Sequence, residues 1–186
     1  MSLLFSPGKI GNLEIPNRIV RSATAELMAN DLDGRPRERL KSLWVGLAKG
    51  GTGLIISGHM YVHPSGKCHP EMTGIYSDEL IPALKECVDA VRSVGGLIAA
   101  QINHGGMQCD RKAVHGTIAP SALDEDFLEQ PAREISTGEI EMLVDAYGQA
   151  ARRAVEAGFD AVQVHAAHGY LIDQFISPYT NRRSDK

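Results

Sequence analysis

Aromatic residues are scarce in this chain: Phe, Trp and Tyr make up 5% of 186 residues, with a single tryptophan. Positive charge is short as well. The 19 Lys and Arg stand against 23 Asp and Glu, for a net charge of −4. A basic stripe interleaved with aromatics, the footprint of a nucleic-acid binder, is missing, so nucleic acid is not expected as a partner. No apolar run is long enough to cross a bilayer. "MSLLFSPGKIG" lacks the charged-then-apolar order of an export signal. A membrane is therefore not expected either. Cys68, Cys87 and Cys109 are odd in number, irregularly spaced and without a CxxC pair. That pattern argues against a disulfide framework and fits a reduced, cytoplasmic protein. What the chain does have is apolar content, 43%, enough for one well-buried core.

Three segments share one plan: "LAKGGTGLIISGHMY" from Leu47, "VRSVGGLIAAQINHGG" from Val91 and "AVEAGFDAVQVHAAHG" from Ala154. Each begins as the end of a helix and passes through glycine suited to a left-handed C-cap. Each then enters a short apolar run: 53–57, 97–102 and 160–164. Runs that are apolar almost throughout suit parallel strands covered on both faces. An earlier apolar strand, 19–23, follows a turn or hairpin in "SPGKIGNLEIPN".

Helical periodicity precedes each run. Leu40, Leu43, Trp44 and Leu47 share one face. Leu84, Val88 and Val91 share another, with Ser77 or Asp78 as N-cap and Pro82 in the first turn. Ser136 and Glu139 make a capping-box pattern. It opens a helix whose apolar face is Ile140, Leu143, Val144, Tyr147, Ala151, Ala154 and Val155. Residues between His104 and Ile135 show little pattern and read as a long loop.

Alternation of strand and helix means an α/β fold with a parallel sheet. A dinucleotide-binding fold needs a Gly-rich turn after the first strand, and "RSATAELMAND" offers none. The other common solution is the (β/α)8 TIM barrel, which takes about 250 residues and gathers function at the C-terminal ends of its strands. His59, His104 and His165 stand at those ends. Four β/α units are visible, so the chain is expected to hold the first half of one barrel domain over residues 1–186. An open four-stranded sheet favours association, which makes a homo-oligomer an expectation.

"VHAAHGYLIDQF" puts His165 and His168 three residues apart with Tyr170 two residues on. One reading is a pair of core or surface histidines. A second is metal binding, but HExxH is absent and no carboxylate or cysteine falls at ligand spacing, so no metal is expected. The third is a pair of N–H donors gripping one oxygen, able to stabilise an enolate, with a phenol close enough to supply a proton. Gln101, late in its strand, is either a buried amide satisfied by backbone or a donor–acceptor partner for a planar imide edge such as a flavin. The small residues of "RSATAE" suit strand-end packing, or the approach of a flat cofactor.

Taken together, "LFSPGKIGNLEIPNRIVRSAT", "GLIISG", "AAQINHGG" and the long C-terminal stretch from "EIEMLVDAYGQ" to "HAAHGYLIDQFISPYTNRRSD" resemble the old yellow enzyme family of FMN-dependent ene reductases. The resemblance covers the whole chain and the N-terminal half of a family member. It implies a TIM barrel with FMN across the strand ends. Ser22, Ala23, Thr24 and Ala25 would line the flavin. The backbone around His59 would touch it, and Gln101 would bond its pyrimidine edge. His165 and His168 would hold the activating oxygen of a small-molecule substrate, and Tyr170 would give a proton to its α-carbon. NAD(P)H would reduce FMN, which would pass hydride to an activated alkene of the enone type. Ala25, Leu27 and Met107 depart from residues common in the family. Two alternatives remain: a non-catalytic half-barrel fragment, or the N-terminal part of a larger iron–sulfur flavoenzyme of the 2,4-dienoyl-CoA reductase type.

Overall fold

The structure, a computed structural model, describes residues 2–185. The expected hairpin forms first. β1 (Gly8–Ile10) and β2 (Leu13–Ile15) pair antiparallel around Gly11, whose φ of 56° only glycine adopts freely. Then follow β3 (Val20–Arg21), α1 (Glu38–Lys49), β4 (Leu54–Ile56), β5 (Met60–Tyr61), α2 (Ile81–Arg92) and β6 (Ile98–Asn103). A short excursion, β7 (Thr117–Ala119) and β8 (Ala132–Glu134), precedes α3 (Thr137–Ala157), β9 (Ala161–Val164) and α4 (Leu171–Ile176).

The main sheet is parallel. β3 pairs with β4, β4 with β6, and β6 with β9, so its strands lie in chain order. Side chains of α1, α2 and α3 meet Ile55, Ile98, Ala100 and Ile102 in one buried cluster, which places all three helices on the same face. Chain-order strands with every helix outside describe an arc of a barrel rather than a doubly wound sheet. Against the opposite face, the hairpin brings Ile15 onto Leu54 and Ala99 and closes the N-terminal end of the arc. Each fully buried Ile or Leu of the helix layer contributes roughly 1.5–3 kcal/mol of transfer free energy. Trp44, fully buried, also meets Phe159 edge-on at 6.3 Å.

The capping box is present: Ser136 Oγ accepts the Glu139 N–H and Glu139 accepts the Ser136 N–H. α3 ends on Gly158 in the left-handed conformation at φ 92°. Three expectations need correction. The segment between His104 and Ile135 is not a featureless loop, because β7 and β8 pair in it over three residues each. Val144 and Val155 are exposed, at 68% and 70%. Of the expected face α3 buries Leu143 and Ala154, and it adds Ala150 and Ala157, a narrower stripe of mostly small side chains that lets it sit close to its neighbours. Ser77, not Asp78, is the cap, and it caps a 3-10 turn, Asp78–Leu80, that leads into α2. Beside α3 and α4 runs an open apolar groove of about 400 Å3, bordered by Leu143, Val144, Val164, Leu171, Ile172 and Phe175.

Candidate active site at the strand ends

β4 and β5 are one strand line interrupted by Ser57, Gly58 and His59. Ile56 faces Ala99 and Met60 faces Ile102, so four steps on one strand match three on the other. That is a β-bulge with one extra residue, a device that re-aims side chains beside active sites. Three hydrogen bonds hold it. Ser57 Oγ accepts the Gln101 N–H at 3.0 Å and donates to Gly58 O. Glu26 accepts the Gly58 N–H at 2.8 Å. The same carboxylate, 5% exposed, also accepts from Trp44 Nε1 at 3.0 Å and from Arg21 Nη1 at 2.9 Å.

Past the bulge, the ring of His59 lies on the site side of the sheet. It stacks on Tyr170 at 5.2 Å and 28° and lies 6.0 Å from His165 and 5.9 Å from His69. Asn103 Nδ2 donates to His59 Nδ1 at 2.9 Å. Burial, reinforced by the neighbouring imidazoles, brings the His59 pKa down to about 4.

His165 follows directly on β9 and is 7% exposed. Its Nδ1 accepts the Ala167 N–H, which leaves the proton on Nε2. That nitrogen faces His168 Nδ1 at 3.3 Å. Tyr170 stands edge-on to His165 at 4.9 Å. Desolvation lowers the His165 pKa, and burial raises that of Tyr170 to about 12. Both shifts favour the neutral form of the group. His168 takes a φ of 60°, in the left-handed region, at a cost of order 1 kcal/mol or more that the surrounding bonds must offset. Gln108 Nε2 donates to His168 O at 2.8 Å, and Gln174, buried, donates to both Gly105 O and Gly169 O.

The structure thus brings His165, His168 and Tyr170 together and adds His59. Gln101 is 8% exposed, on the barrel-facing side of β6, and donates to Gln163 Oε1 at 2.7 Å. Ser22, Thr24 and Ala25 are exposed and Ala23 is half-buried after β3. His104 does not join them. It is fully buried, accepts the Gly106 N–H and bonds Ser65, and so secures a loop. Met107 packs with Ala119, Leu123 and Ala132. Cys68 and Cys109 are free and buried; Cys68 Sγ donates to Gly66 O and accepts from Asn103 Nδ2, and Cys109 Sγ donates to Ser65 O. Among the described residues no group of three or more His, Cys, Asp or Glu converges at metal-binding geometry. Likewise no described helix is long and apolar enough to cross a membrane.

Residues 3–186 match the NADH:flavin oxidoreductase / NADH oxidase family. The chain belongs to that family. An NADH oxidase of Thermoanaerobacter brockii is 42% identical over 186 residues, covering 98% of this chain and 28% of that protein. An NADPH dehydrogenase of Listeria welshimeri is 40% identical over 187 residues, covering 100% and 54%. Among solved structures, an old yellow enzyme homologue from Zymomonas mobilis superposes with a TM-score of 0.90 at 36% identity, covering 99% of this chain and 54% of that one. A 2-naphthoyl-CoA reductase superposes at 0.95 and 31% identity, covering 99% and 30%. The chain therefore spans about half, or less, of the length of these relatives, and its arc corresponds to part of their TIM barrel.

The family's cofactor is FMN, with NAD(P)H as reductant. The residues present fit it. Small side chains expose the backbone after β3, the bulge presents further backbone, and Gln101 spends only its amide donor on Gln163. Its carbonyl is free to accept an imide N–H. Sequence reasoning missed Glu26, Asn103, Gln163 and Gln174. Gln174 falls four residues after Tyr170, the spacing that puts two side chains on adjacent helical turns, which was the one available signal.

Proposed function

We propose that this chain carries the oxygen-binding and proton-donating part of an FMN-dependent oxidoreductase that moves hydride from NAD(P)H to an activated alkene. The observation that carries the reading is the convergence of His165 Nε2 and His168 Nδ1, 3.3 Å apart, beside the Tyr170 ring. Two imidazole nitrogens on one turn can donate to a single carbonyl or phenolate oxygen and favour its enolate-like form. The His165 tautomer supports this, because the nitrogen facing His168 is the protonated one and an incoming oxygen would take that hydrogen bond in place of His168 Nδ1. Tyr170, a protonated phenol at neutral pH, can give its proton to the carbon next to the carbonyl. Ser22, Ala23, Thr24, Ala25, the backbone at His59 and Gln101 would hold FMN. Bound there, the flavin supplies the two-electron store between NAD(P)H and the alkene.

The test is binding of a para-substituted phenol to the FMN-loaded protein. Each charge-assisted hydrogen bond is worth about 1.5–3 kcal/mol, so His165→Ala with His168→Ala should weaken binding by roughly a hundredfold or more. Equal affinity in the double variant would sink the oxygen-clamp reading.

A second reading rests on the lengths of two relatives, the NADH oxidase and the 2-naphthoyl-CoA reductase, of which this chain covers 28% and 30%. There the same site would sit in the N-terminal part of a larger iron–sulfur flavoenzyme. Metal analysis of the protein purified from its source decides it: stoichiometric iron supports the larger enzyme, and its absence supports the simple one.

A further inference from the structure

We propose that His59 is a positioning residue for Tyr170: held by Asn103 within the bulge, its imidazole is the platform that fixes the phenol over the histidine pair. The proposal rests on the reading of Tyr170 as proton donor and deepens it.

Three observations converge. First, the rings of His59 and Tyr170 are stacked, 5.2 Å apart with 28° between planes, while His165 meets Tyr170 edge-on. The phenol is thus bounded by a face on one side and an edge on another, which leaves its ring one orientation. Second, the platform is itself fixed. Asn103, fully buried, donates from Nδ2 to His59 Nδ1 at 2.9 Å and to Cys68 Sγ at 3.7 Å, and its one acceptor, Oδ1, has no partner. An amide left half-satisfied in the interior costs about 1–3 kcal/mol, a cost that a neutral leucine at that position would avoid. The bond it makes fixes the His59 tautomer with the proton on Nε2. Third, the bulge is what brings His59 to this side, and its Gly58 amide is tied to the Glu26 carboxylate 32 positions away.

The chemistry suits the role. A neutral ring against the phenol leaves the phenol acid intact, whereas an imidazolium would stabilise the phenolate and spend the proton early. Aromatic pairs of this kind add about 0.5–1.5 kcal/mol beyond area burial, enough to hold an orientation. Misplacing a reacting group by about 1 Å can cost up to a hundredfold in rate.

The experiment uses the FMN-loaded protein, with flavin reduction by NADPH and reoxidation by 2-cyclohexenone followed separately in a stopped-flow instrument. In His59→Ala the reoxidation rate should fall about tenfold more than the reduction rate. His59→Phe, which keeps a stacking face without the nitrogens, should recover most of the loss. Equal falls in both steps, or no recovery with Phe, would overturn the proposal. Tyr170→Phe separates the two levels. If it reoxidises at the full rate, the proton-donor reading fails. If it is slow while His59→Ala is fast, only the platform fails. A second readout needs no flavin. NMR of the unloaded protein should show His59 as the Nε2–H tautomer, with its ring protons shifted upfield by Tyr170 and released in Tyr170→Leu. An Nδ1–H tautomer, or shifts unchanged by Tyr170→Leu, would refute the geometry.

Discussion

Glu26→Ala tests the support beneath the site. One carboxylate, 5% exposed, receives the Trp44 indole N–H at 3.0 Å, the Gly58 amide at 2.8 Å and the Arg21 guanidinium at 2.9 Å. Truncation leaves three donors facing a void, one of them charged. Arg21 keeps a single bond, to Ile56 O. Breaking one side of a buried ion pair costs about 3–5 kcal/mol. The orphaned indole and amide lie within the same network and do not add in full. At roughly 2–4 °C per kcal/mol for a chain of this size, the melting temperature should drop by roughly 6–20 °C. Urea unfolding followed by tryptophan emission is the assay. Trp44 is the only tryptophan, so the signal comes from the carboxylate's own partner. Emission should shift to longer wavelength in the folded variant as well, because the indole loses its acceptor and water reaches the vacated space. A stability loss below about 1 kcal/mol, the scale of a surface pair, would refute the picture of a carboxylate that holds strand, helix and bulge together.

Other outcomes are expected elsewhere. His168→Gly relieves the φ of 60° and should raise stability by up to about 1 kcal/mol while weakening phenol binding; a lower melting temperature would mean the ring's contacts outweigh the backbone strain. Cys68, Cys87 and Cys109 are buried, the Cys87 thiol is pushed up to about 11 by burial, and that of Cys68 is raised by the neighbouring Cys109 thiol and by burial. Iodoacetamide at pH 8 should label none of them in the native chain within the time that labels all three in urea, and a fast-reacting thiol would contradict the packing. His59 and His104, with pKa values of about 4 and 3, stay neutral in the fold while the unfolded chain protonates them near pH 6.5. The unfolded state therefore binds more protons between those limits. Stability is complete above pH 6.5 and falls on acidification towards pH 4, by up to about 1.4 kcal/mol per proton and pH unit. Calorimetry at pH 5 in buffers of different ionisation heat should show proton uptake on unfolding, and none would mean these rings are not buried neutral.

Much of the fold is legible in local chemistry. The Ser136–Glu139 box, the largely apolar run 97–102 that contains Gln101 and the glycine after α3 each specify their element within a few residues. The histidine pair and Tyr170 sit on one short turn, so their meeting needs no tertiary information. What escaped the sequence depends on partners far along the chain. Glu26 lies in a polar stretch that looks solvated, and its three donors come from positions 21, 44 and 58. Asn103 and His59 are 44 residues apart and meet only because β5 pairs with β6. β7 and β8 are three residues long, too short for a periodic pattern to stand out. Val144 and Val155 have the right period but flank the stripe that the sheet and α2 cover.

The bulge at residues 57–59 also works as a parity switch. Before it, Ile55 faces the helices; after it, so does Met60, five positions on, although strict alternation would turn that residue the other way. The extra residue inverts the odd–even count along the chain for everything downstream. Deleting Gly58 would leave four steps between Ile55 and Met60 in place of five, so Met60 would stay opposite Ile102 on the helix side and His59 on the site side, and only the amide held by Glu26 would be lost. A one-residue difference in length is thus absorbed by the backbone at this point without exchanging the two faces of the sheet.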